Sequence, residues 1–187
     1  FWTAPFFLRE HGVSATEAGT VLGLTAAIAG WGGVTVGGIW SDRWRRKLPT
    51  GRIYVGIFNA VFPVPFTIWM LLTPSLTTAY LMNFAVGAAA GMWIGPAAST
   101  VNDLVLPRMR AVASATYILI ITFIGLALGP YSIGRASESL GDLRLAMLLS
   151  LSANVIGIFF LVLAARHLES EERTRIDRAR EAGEPNL

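Results

Sequence analysis

Five stretches of this chain contain no Asp, Glu, Lys, Arg or His: residues 18–40, 53–72, 79–101, 112–133 and 145–165. At a rise of about 1.5 Å per residue, each is long enough as a helix to cross a hydrocarbon core of roughly 30 Å. A soluble helix of that length shows a polar face, and five in succession without one point away from water. Charged residues make up 14% of the chain, against about 25% in soluble domains. In lipid the backbone must satisfy its own hydrogen bonds, which leaves helices as the spanning form for runs of this kind. The expected fold class is all-α, a polytopic membrane helical bundle.

The charge that remains is gathered unevenly. Residues 37–52 hold one acid, Asp42, and five bases, Arg43, Arg45, Arg46, Lys47 and Arg52. If all five windows cross, this turn shares a side with Arg108 and Arg110 and with the tail arginines 166, 173, 175, 178 and 180. That side carries twelve Lys and Arg residues; the other carries three, Arg9, Arg135 and Arg144. The positive-inside bias puts the basic turn and the C-terminal tail in the cytoplasm. The destination expected is the plasma (cell inner) membrane. A pI of about 9.8 could suggest nucleic acid, but no basic face with stacking aromatics exists outside the loops, so no nucleic-acid partner is expected.

Residues 1–8 read as the last turns of a further span. The chain then divides into two triplets: 1–8 with 18–40 and 53–72, and 79–101 with 112–133 and 145–165. The middle member of each is rich in interrupting residues, Gly19, Gly23, Gly30, Gly32, Gly33, Gly37 and Gly38 in one, Gly125, Gly129, Pro130 and Gly134 in the other. Interrupted segments at matching places are the footprint of inverted repeats in secondary transporters. Gly19, Gly23, Ala26, Gly30, Gly33 and Gly37 also share one helix face, and Gly87, Gly91 and Gly95 repeat the device. Such faces let backbones approach closely, as static seams or as surfaces that slide.

The run Gly38-Ile-Trp-Ser-Asp42-Arg43-Trp-Arg45-Arg46-Lys47 resembles the signature loop of the major facilitator superfamily, which joins the second and third helices of each six-helix half. Gly125-Leu-Ala-Leu-Gly129-Pro130-Tyr-Ser-Ile-Gly134 is similar to the family's Gly-Pro motif in the fifth helix of a half. Leu104-Val-Leu-Pro107-Arg108-Met109-Arg110-Ala111-Val-Ala113-Ser114-Ala115 is similar to the spinster-like group. The resemblance covers nearly the whole chain and implies a C-terminal half: five complete spans, the end of another, in an inverted 3+3 arrangement over 1–165, then a charged cytoplasmic tail, 166–187. Two positions depart from the signature, Trp40 for its Leu and Arg45 for its inner Gly, which points to a looser turn.

Hydropathy ends the first complete span before Asp42, where a carboxylate meets the negative end of the helix dipole. Two compensations are open: an ion pair with Arg43, Arg45 or Arg46, or, as the resemblance implies, a state-dependent latch to helices of the opposite half. Gly38, Asp42, Arg43, Arg45 and Arg46, with Arg108 and Arg110 at the start of the fourth complete span, form the expected gating loop. Arg108 and Arg110 suit anionic lipid or a pair with Asp103.

By resemblance the cavity is lined by 1–8, 18–40, 79–101 and 112–133. Trp2, Thr25, Trp31, Asn83, Trp93, Thr100, Tyr117 and Thr122 are its candidate lining, and Gly125, Gly129, Pro130 and Gly134 its bending and packing positions. A surface of aromatics, amides and hydroxyls suits a small amphipathic or lipid-like solute. These spans contain no charge, so proton coupling is expected in the N-terminal half, a partner outside this chain. Asn59 and Asn154, on outer helices, are expected to hydrogen-bond between helices. Membrane lipid is the remaining partner expected.

Enzyme classes fit poorly. His11 and His167 lie on opposite sides outside the windows, and neither H-E-x-x-H nor G-x-S-x-G occurs. No catalytic group, metal or cofactor is expected. The functional expectation is a secondary active transporter working by alternating access. The alternatives are a truncated or non-transporting membrane scaffold, or a transporter of another organic solute such as a drug or organic anion. In the tail, Glu169 with Arg173 and Glu171 with Arg175 have favourable i,i+4 polarity for a solvated helix.

Overall fold

The computed structural model describes residues 1–48, 50–181 and 183; the side chains of Arg175, Arg178 and Ala179 also lie outside the description, and with them the expected Glu171–Arg175 pair. The described chain is built of helices, with five stretches long and apolar enough to cross a membrane: Ala15–Arg45, Gly51–Leu72, Leu76–Asp103, Pro107–Leu140 and Leu143–Thr174. Each charge-free window falls inside one of them. A short helix, α1 (Thr3–Glu10), precedes the first.

The first span is a single helix, α2 (Ala15–Arg45), started by the Ser14 hydroxyl accepting from the Glu17 N–H at 3.1 Å. The other four are interrupted, mostly for a proline. Pro63, which has no N–H to donate, divides the second span into α3 (Gly51–Val61) and α4 (Pro63–Leu72). The third divides at Trp93, three residues before Pro96, into α5 (Leu76–Met92) and α6 (Ile94–Asp103). The fourth runs from α7 (Arg110–Ile120) through a π-helical stretch, Ile121–Leu128, to α8 (Gly129–Leu140). The fifth comprises α9 (Leu143–Ser150) and α10 (Ser152–Glu181), and α10 passes residue 165 without a break.

The broadest helix contact joins α2 to α5, and it is made by glycine. A Cβ added at Gly33 or Gly37 would fall on the backbone of Ala88 or Met92, and one at Gly91 would stand 2.9 Å from the Gly30 carbonyl oxygen. With no hydrophobic drive between helices in lipid, this backbone-to-backbone approach supplies the packing. Pro96 leaves the Met92 carbonyl without its helical donor, and that group lies against Gly37. The small-residue face expected along all of α2 is therefore used over its lower half only, since nothing lies within 4 Å of a Cβ at Gly19 or Gly23.

The compact core sits at the end remote from the basic loop. Phe6, Phe7, Met70, Leu71, Ala79 and Leu143 are buried together, and Phe7 stacks on Tyr80 at 4.6 Å between ring centroids. Arg144 and Glu10 pair at 2.5 Å across the same end. Elsewhere large apolar side chains face outward, as in Phe159 and Phe160 at 63% and 60% exposure, the arrangement that a lipid surround allows.

Candidate functional site

At the basic end, the signature run does not open into a turn where hydropathy ends. α2 continues through Asp42 to Arg45, and the Arg46 N–H donates to the Asp42 carbonyl at 3.2 Å. Arginine in place of the signature's inner glycine is the reason the helix persists, because Arg costs far less there than Gly. Asp42 is thus in the last turn of α2, still at its negative end. Its nearest described cation is Arg52, at 3.6 Å on the first turn of α3, rather than Arg43, Arg45 or Arg46.

Arg52 is the hub of this end. Its guanidinium also meets Asp103 at the end of α6, and its side chain is only 16% exposed, against 63% for Asp42. Arg45 reaches Asp103 at 4.0 Å and Glu172 on α10 at 2.5 Å. Four helices, α2, α3, α6 and α10, are therefore joined by alternating charges. Arg110 stands on the rim of a cleft of about 280 Å³ with Arg45, Asp103, Glu172 and Arg173. Arg43, Arg46 and Arg108 are exposed, and Gly38 is half-buried with nothing within 4 Å of an added Cβ. Sequence proximity could not have found Arg52, which the turn carries back onto Asp42.

The expected cavity residues are spread over several surfaces. Trp31 is 77% exposed on the α2 face away from α5. Thr122 is exposed, while Asn83 and Tyr117 are half-buried. Thr25 and Thr100 commit their hydroxyls to their own helices, donating to the Val21 carbonyl at 2.7 Å and the Pro96 carbonyl at 2.8 Å. Trp93 turns its ring onto Gly56 of α3, away from the expected cavity, because that glycine leaves a slot against the outer span.

Trp2 makes the most specific contact of the set. Its indole N–H donates to the Pro130 carbonyl at 2.8 Å, and its ring lies over Gly134, where an added Cβ would come within 2.9 Å. The first helix is thereby fastened to the Gly-Pro motif of the fourth complete span. Upstream of Pro130 that span is bare. From Arg110 to Leu128 it buries no residue, and Gly125 and Gly129 have open space where a Cβ would stand. At the other end of the bare stretch, the Ser114 hydroxyl donates to the Asn102 side-chain oxygen of α6 at 3.1 Å. Asn59 does not bridge helices as expected: its side-chain oxygen is buried without a partner among the described residues.

No protein-family model matches the chain. An "MFS-type efflux pump" of Mycolicibacterium smegmatis is 26% identical over 163 residues, which is 86% of this chain and 35% of that protein. A bacterial homologue of the human lysosomal transporter Spinster, solved inward-facing and unoccupied, superposes with a TM-score of 0.61 at 25% identity, covering 94% of this chain and 44% of that one. Its inward-facing, occupied form gives 0.57 at the same identity, covering 45% of that chain. The chain spans less than half the length of each of these relatives. Helices without strands among the described residues and five apolar spans accompany these likenesses, and the chain is similar over nearly its whole length to part of a major facilitator superfamily transporter, with a Spinster homologue among its structural neighbours.

Proposed function

We propose that this chain works as the C-terminal half of a secondary active transporter that moves a small amphipathic or lipid-like solute by alternating access. The observation that carries the reading is an uncharged, uncovered wall. The α2 face with Leu24, Ile28 and Trp31, each more than 60% exposed, and the bare stretch Arg110–Leu128 offer aromatic, hydroxyl and aliphatic groups without a charge between residues 111 and 134. Burying a full charge there would be costly, whereas an amphipathic solute can leave its headgroup in water. The N-terminal half would supply the opposite wall and any proton-coupling acid. Asp42 would act as the latch at the cytoplasmic end, with the basic loop and α10's far end inside the cell. Arg108 and Arg110 would hold inner-leaflet anionic lipid.

The test is uptake by the full-length protein in proteoliposomes, with lysolipid, apolar drug and sugar compared with and without a pH gradient. Lysolipid movement supports the reading. Movement of the drug alone overturns the lipid-like solute and favours a transporter of another organic solute. Sugar movement alone, or no movement of any solute, overturns it.

A further inference from the structure

We propose that the π-helical stretch Ile121–Leu128 is a register switch, pinned at its outer end by the Trp2–Pro130 hydrogen bond, through which the α7 part of the span turns while α8 stays still. The inference rests on the alternating-access reading and adds a moving part to it.

The span is anchored toward its two ends, and among the described residues none from Arg110 to Leu128 is buried. α8 packs on α9, and Trp2 holds it from the side through the Pro130 carbonyl and the Gly134 surface. α7 packs on α6 and carries the Ser114–Asn102 bond. All eight residues of the π stretch are exposed. A π stretch holds extra chain in an otherwise α-helical run, with each N–H bonded one residue further back, and such stretches gather at functional positions. Pro130 helps to keep it so, because it has no N–H for the Leu126 carbonyl that an α-helix would pair with it. Gly125 and Gly129 leave room for the backbone to rearrange.

If the extra residue passes out of the π register, everything on the α7 side rotates by about 100° and shifts by about 1.5 Å relative to α8. Tyr117 would then change the surface it faces, and Thr122 would enter regular helix. Trp2 is a positioning residue in this scheme: it fixes which side of the joint moves. A joint without that pin would let α8 turn instead, and the motion would not reach the solute wall.

The chain has no cysteine, so a label pair at Thr116→Cys and Ser132→Cys, both exposed positions, reports across the joint. Pulsed EPR on the full-length protein in nanodiscs, with any cysteine outside this half replaced, should give two distances in the parent. Pro130→Ala restores the missing N–H and should collapse the two into one. Trp2→Phe keeps the ring over Gly134 but removes the donor, and should alter the ratio of the two populations at least twofold. A single parent distance that neither variant changes overturns the switch, whether or not the protein transports. Two distances that respond to both variants, in a protein that moves no solute, keep the switch and refute the transporter reading instead.

Discussion

Gly37 and Gly38 are neighbours in sequence with opposite surroundings, which makes them a controlled pair. A Cβ at Gly37 would stand 2.7 Å from the Met92 carbonyl carbon, where ordinary van der Waals contact is 3.4–4 Å. The obstructing atoms are α5 backbone, the Met92 carbonyl oxygen and Cα nearer still, and they cannot swing aside as a side chain can, so α2 and α5 must part by about an ångström. Overpacking of this kind costs about 1–3 kcal/mol, and the rigid obstacle places Gly37→Ala at the upper end, about 3 kcal/mol. At about 2–4 °C per kcal/mol for a chain of this size, that lowers the melting temperature by about 6–12 °C. Gly38→Ala meets nothing within 4 Å and removes a helix-interior glycine, so it should gain up to about 1 kcal/mol. The assay is thermal unfolding in detergent, followed by intrinsic tryptophan fluorescence. If the two variants melt together, the close approach of α2 and α5 is not what holds this bundle, and the reasoning fails.

Three further expectations concern single residues. Arg52→Gln leaves Asp42 and Asp103 without their shared cation and should cost about 1–3 kcal/mol, seen as a lower melting temperature that Arg52→Lys restores in part. Asp42→Asn touches a mostly exposed carboxylate, 63% accessible, worth under about 1 kcal/mol; melting should hardly change while uptake by the full-length protein falls, and unchanged uptake at normal surface expression removes the latch. Asn59→Leu deletes a buried oxygen that bonds to nothing described, so melting should stay or rise, and a fall of more than about 3 °C would mean the amide has a partner.

The spans were legible in the sequence because lipid imposes one rule on every one of them, a run of about 20 apolar residues, and the rule needs no neighbour. The signature loop and the Gly-Pro motif were legible because they are contiguous. Partnerships between helices were not, although the Glu169–Arg173 pair within the last helix was. The turn after α2 brings Arg52 back to Asp42, and periodicity along one helix does not register a contact across a loop. Trp93 lies on a span that the resemblance makes cavity-lining, but its ring fills the slot at Gly56 on another helix. The glycine face of α2 was visible as a face, yet which half of it met α5 depended on the path that helix takes. The π stretch left no mark beyond Gly125, Gly129 and Pro130, residues that an ordinary kink would also use.

The last helix has a mechanical consequence. α10 is 30 residues long, about 45 Å at helical rise, and reaches Glu181 in one piece. Arg45 tethers it at Glu172, and the nine residues beyond, about 14 Å of helix, turn a tilt of about 10° into roughly 2 Å of sweep at the tip. The tail is thus a dial hand for the bilayer-embedded bundle, and a fluorophore at its tip, read against one on α3, would follow the tilt from outside the lipid without touching the solute path.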